Sequence, residues 1–103
     1  MGMPGIEHDR IAEGIANKLR APYNPSKGTD IVSPERVVEV EIDAASLSRG
    51  IEQLQGYKQL RYLGVPKQLV RAAVERTRGT KIGVMDPKGN IIKRAQRPST
   101  KKR

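Results

Sequence analysis

Between Arg36 and Asp43 the chain reads Arg-Val-Val-Glu-Val-Glu-Ile-Asp. Side chains alternate across an extended strand, so Val38, Val40 and Ile42 share one face. Glu39, Glu41 and Asp43 share the other, together with Val37. Successive carboxylates on that face stand roughly 6.6–7 Å apart. Two at this spacing can converge on one hydrated divalent cation; without a cation or base between them they repel. A divalent ion so held polarises a phosphoryl oxygen, activates a water and offsets charge in the transition state. The same alternation is also what a half-exposed strand with one solvated face shows. The turn Ser33-Pro34-Glu35-Arg36 folds the preceding residues back antiparallel and brings Asp30 beside the glutamates.

Other residues invite chemistry less directly. Gln53 and Tyr57 are four apart, so a helix would put them on one side; a surface Gln above a half-buried Tyr is the ordinary reading of such a pair. The single His8 could serve as a base. Its spacing from Ile11 and Ile15 sets it on the apolar side of a helix, where it reads as a helix-end or packing residue. Lys27 and Lys58 read as phosphate contacts or as ordinary surface lysines. There is no Cys, which removes thiol nucleophiles, disulfides and thiolate metal sites. Oxygen ligands, with His8 as the one imidazole, favour Mg²⁺ or Mn²⁺ over structural zinc.

Twenty Lys and Arg against eleven Asp and Glu give a net charge of +9 over 103 residues. Residues 93–103 carry six of these cations and no acid, which leaves +3 for residues 1–92. A polybasic tail is drawn to phosphate and releases counterions on binding, so nucleic acid is the expected partner. Anionic membrane surfaces and acidic proteins attract such tails too, and a solvated, flexible end is the plainest alternative. No apolar run approaches the roughly 20 residues of a membrane span. Residues 1–7 lack the basic-then-apolar pattern of a secretory leader, and a cytoplasmic protein is expected.

These groups need a scaffold to bring them together. Ile11, Ala12, Ile15, Ala16 and Leu19 recur at helical spacing and predict an amphipathic helix over 8–21, stopped by Pro22. Turn formers fill 21–28. Short strand 29–33 and strand 36–43 flank the turn. A second helix over 45–60 buries Leu47, Ile51, Leu54 and Tyr57, and Gly50 and Gly56 each weaken it by about 1 kcal/mol relative to Ala. A strand over 61–65 leads to Pro66, which opens a third helix ended by Gly79. Strands 81–86 and 90–94 form a last hairpin around Pro87-Lys88-Gly89. With neither Phe nor Trp, the core falls to Val, Ile, Leu and Ala with three Tyr in support. The order α-β-β-α-β-α-β-β implies one mixed sheet flanked by helices, α/β (α+β) in class. Residues 1–95 would form a single domain and 96–103 a basic tail.

Taken in order, these features resemble the PD-(D/E)XK nuclease superfamily, with its restriction-endonuclease-like fold, and small archaeal nuclease-like proteins look especially similar. The likeness runs over roughly residues 7–95: an opening helix, Gly28-Thr29-Asp30-Ile31-Val32, a turn, Val38-Glu39-Val40-Glu41-Ile42, and a helix carrying Gln53-Leu54-Gln55-Gly56-Tyr57. The resemblance implies that Asp30 and Glu39 ligate Mg²⁺ or Mn²⁺. Glu41 stands where the family usually has a Lys that positions the attacking water; it would act as a general base or a further metal ligand. An acid on the first helix often completes the family's site, which nominates Glu7 and, less directly, Glu13. Gln53 and Tyr57 would support the site or touch DNA, and Lys27 and Lys58 would contact phosphate. The stretch between Ala21 and Thr29 leaves little room for the strand the family usually places before its Asp strand. The expected function is a minimal metal-dependent DNA nuclease, an endonuclease before an exonuclease, acting as a homodimer or with a partner subunit. The alternatives are a non-catalytic nucleic-acid-binding protein on the same fold, and a small interaction subunit whose tail docks on an acidic protein.

Overall fold

A computed structural model describes residues 6–24 and 29–98. Helix α1 (Ile6–Leu19) buries Ile11, Ala12, Ile15 and Ala16, the predicted stripe. It stops two residues earlier than the periodicity implies. Arg20 takes a left-handed backbone (φ 56°), its N–H donates to the Asn17 carbonyl at 3.2 Å, and the Ala21 N–H donates to the Ala16 carbonyl at 3.0 Å. This closed turn satisfies the last carbonyls and ejects the chain toward Pro22.

Strand β1 (Ile31–Val32) pairs antiparallel with β2 (Arg36–Val40). A short 3₁₀ turn (Ala44–Ser46) leads into α2 (Leu47–Leu54), then β3 (Leu60–Gly64). A second 3₁₀ turn (Lys67–Leu69) opens α3 (Val70–Arg76), followed by β4 (Gly83–Met85) and β5 (Ile91–Lys93). The element order is the one the pattern predicts, and the architecture is a mixed α/β one with five strands in the order β1-β2-β3-β4-β5. β2, β3 and β4 are parallel; β1 and β5 are antiparallel additions at the two edges.

Each face of the sheet has its own core. α1 covers Val38, Val40, Tyr62 and Met85, while α2 and α3 cover Val37, Leu63, Val65, Ile82 and Val84. Strands covered on both faces need apolar residues at nearly every position, and all of β3 after Leu60 is buried. Arg61 is the polar exception there, 8% exposed with an unpartnered Nε.

Two further boundaries bear on the site. β2 ends at Val40, its last link being the Glu41 N–H to the Gly64 carbonyl at 3.0 Å; Asp43 lies beyond the strand, exposed before the 3₁₀ turn. α2 ends at Leu54 rather than Leu60, because tight turns close at Gln55 and Tyr57 and Leu60 is taken into the sheet beside Glu35. Outside β1 the only pairing among the described residues is the single bridge Tyr23–Ile31, so the strand that 21–29 seemed too short to supply is reduced to that bridge.

Candidate active site

Glu39 lies on the α2–α3 face of β2, since Val37, two positions earlier, belongs to that core. It is only 9% exposed, and its Oε1 is buried without a hydrogen-bond partner. Glu41 follows on the same face, half-buried beneath α2. It fits because position 50 is a glycine: a β-carbon there would stand 2.7 Å from the Glu41 Cγ and 2.9 Å from its Oε2. The glycine that weakens α2 as a helix is what lets it close over this carboxylate.

Asp30 sits at the start of β1 and is 8% exposed. Its Oδ2 accepts the Val40 N–H at 2.9 Å and lies 3.1 Å from His8 Nε2. Asp30 is thereby fixed to the main chain of β2 one residue from Glu39. The contact is a hydrogen bond to a carboxylate in the His8 tautomer that carries its proton on Nε2. Beyond His8, the Tyr23 hydroxyl donates to Asp9 Oδ1 at 2.6 Å and stands 3.5 Å from His8 Nδ1. The phenol's own burial, and after it the hydrogen bond to Asp9 and the charge of Asp9, push the Tyr23 hydroxyl well above its ordinary titration.

Burial is the first reason that Glu39 titrates abnormally, followed by the negative charges of Asp30 and Glu41 and a hydrogen bond shared with Glu41; together they push its carboxyl up to about 8. Burial and the neighbouring acids thus favour the protonated form of Glu39. Among the described residues no Lys or Arg forms an ion pair with these acids. Nor is any group of three or more His, Asp or Glu there already arranged around a common point as a metal ligand set. The site's distinctive feature is a buried oxygen lacking a partner, on a carboxyl that feels the charges of two more.

The other nominated residues are dispersed. Glu7 and Glu13 are exposed on α1, and His8 takes the place beside Asp30. Gln53 is exposed on α2, whereas Tyr57 lies past the helix end and packs into the α2–α3 core; the pair shares no helix face. Lys58 is exposed, and Lys27 lies outside the described residues. His8 and Gly50 are the contributors that pattern reading passed over. The signal for His8 was a polar residue at the end of an apolar stripe; for Gly50, a helix-weakening residue inside the helix that follows the acidic strand.

No helix of the described residues is long and apolar enough to cross a membrane. Comparison with known proteins finds no matching family model, no matching curated protein and no matching solved structure.

Proposed function

We propose that this chain is a minimal metal-dependent DNA nuclease with a restriction-endonuclease-like core. The observation that carries the reading is the buried, unpartnered Glu39 oxygen, on a carboxyl whose burial, and then the charges of Asp30 and Glu41, push its titration up to about 8. Asp30 and Glu39 would hold Mg²⁺ or Mn²⁺, with Glu41 as a further ligand or as the acceptor that orients the attacking water. A divalent ion in such a site supplies an activated water and offsets charge on the phosphoryl oxygens. The chain's own groups do the rest. The Val40 amide and His8 orient Asp30, and Glu39 is held buried on the α2–α3 face of β2. The net charge of +9 draws the phosphodiester in. Glu7 is exposed on α1.

The non-catalytic reading has an observation in its favour as well: position 41 is Glu, and the acids are not gathered around one point. One experiment separates the two. Supercoiled, linear, single-stranded and four-way-junction DNA are incubated with Mg²⁺, Mn²⁺ or EDTA, using the wild type and Glu39→Ala. Metal-dependent cutting that vanishes in the variant is the expected result. Salt-sensitive binding without cutting on every substrate, equal in both proteins, would make the chain a binder on this fold.

A further inference from the structure

A second feature lies away from the acids. An open groove of about 600 Å³ runs between the C-terminal turn of α1, the β1–β2 turn and the β4–β5 turn. Its charged lining is Lys18, Arg20 and Arg36 against one carboxylate, Glu35. Among the described residues none of the three cations enters an ion pair. The polar neutral lining is already occupied: Ser33 Oγ bonds the Arg36 main chain, and the Asn90 amide donates to Asp86. Beside the apolar Leu19, Pro34 and Ile91, the groove therefore offers three cations against one carboxylate.

Arg20 adds an independent sign. It occupies the left-handed position that closes α1, where a β-carbon is unfavourable and glycine is the usual occupant. A residue kept in a strained backbone is a pointer to use of its side chain, and here that side chain lines the groove.

The groove is also at a defined reach from the acids. Lys18 is ten residues along α1 from His8, about 15 Å of helix. Arg36 is three residues along β2 from Glu39, about 10 Å of strand. At about 3.4 Å per nucleotide step, this corresponds to three or four steps of a nucleic acid.

We propose that this groove holds the phosphodiester backbone of a bound nucleic acid, a few nucleotides from the phosphate presented to Asp30 and Glu39. The proposal rests on the nucleic-acid reading above and extends it. Three cations lining one open groove suit the phosphates of a polymer, and the test below separates that from a site for a single phosphate.

The test is equilibrium binding of a short DNA duplex in EDTA across a salt series. It compares the wild type, Arg20→Gly, the triple variant Lys18→Gln/Arg20→Gly/Arg36→Gln, and a charge-matched control, Arg49→Gln/Lys67→Gln/Arg71→Gln, at exposed positions of the α2–α3 layer. Each phosphate contact contributes about 0.9 to the slope of log K against log salt. The triple variant is expected to lose about 2–3 of that slope and the control less than 1. Arg20→Gly alone is expected to lose about 1 while melting no lower than the wild type, which separates a binding role from a folding one. Equal losses in the triple variant and the control would overturn the proposal, as would a triple variant with the wild-type slope. Saturable displacement of the DNA by inorganic phosphate at constant ionic strength would point to a single-phosphate site instead, and equal displacement by polyglutamate to an acidic protein partner. The nuclease reading fails separately: a chain that never cuts but binds with a groove-dependent slope loses that reading and keeps this one.

Discussion

At neutral pH a carboxyl group that titrates at about 8 carries a proton that an ordinary glutamate has lost. For Glu39 the ordinary value is 4.5. Between these values the folded chain binds a proton that the unfolded chain has released. Stability is therefore full below about pH 4.5 and falls as pH rises through 8. Glu39→Gln should remove this slope. Its melting temperature is expected to match the wild type near pH 4.5 and to exceed it near pH 8.5 by about 4–8 °C for each kcal/mol recovered, as scanning calorimetry would show. Mn²⁺ should flatten the wild-type slope in the same way, because a bound cation displaces the proton. His8 makes a different prediction. With Nε2 donating to Asp30, His8→Ala should weaken Mn²⁺ binding by about 10–100-fold, whereas His8→Gln, which retains a donor, should restore most of it; titration calorimetry reads both. Equal affinities in all three proteins would remove His8 from the site. The acids were legible in the sequence because alternation on a strand is a local property. The partnership of His8 with Asp30 was not, because it spans 22 residues and depends on where α1 lies against the sheet edge.

Element by element, the same separation between local and tertiary causes recurs. The eight elements follow the predicted order, since hydrophobic period, Pro66 and the turn formers are all local signals. Their ends are set by competition with the sheet: α2 stops at Leu54 because Leu60 pairs with Arg36 across β3 and β2. Gln53 and Tyr57 thereby lose the shared face that their spacing implied. The two glycines of this region then part company. A β-carbon at Gly56 meets nothing within 4 Å, so Gly56→Ala should stabilise the fold by about 0.4–1 kcal/mol through the unfolded chain alone. At Gly50 the added methyl meets Glu41 and Leu63, the latter at 3.0 Å. Gly50→Ala should cost about 1–3 kcal/mol by overpacking and displace the Glu41 carboxyl, despite the better helix propensity. Urea melts of the two variants should move in opposite directions. A Gly50→Ala protein as stable as the wild type would show that α2 does not press on Glu41.

At the scale of the whole molecule, the sheet is parallel at its centre and antiparallel at its edges. Each edge strand folds back on its neighbour through a short turn, at Ser33–Arg36 and at Asp86–Asn90. In the latter, Asp86 Oδ1 accepts the Lys88 and Asn90 N–H groups, each at 2.9 Å. Lys93 ties the second hairpin down further by donating to the carbonyls of Thr77 and Ile82 at 2.7 and 2.8 Å. A mixed sheet was legible from the alternation of helices and strands; which strands are parallel follows from the α2 and α3 crossovers. This division carries a kinetic consequence. Hairpins close locally within about 1–10 μs, whereas β2 cannot meet β3 until the chain through α2 has looped back. The edges are thus able to form early and open early, while the parallel centre forms last and is released only with the whole fold. Amide hydrogen exchange should record this history: the slowest N–H groups are expected in β3, around Leu63 and Gly64, and the fastest strand amides in β1 and β5. Uniform exchange across all five strands would mean that the sheet opens as one unit, with its edges bound as firmly as its centre.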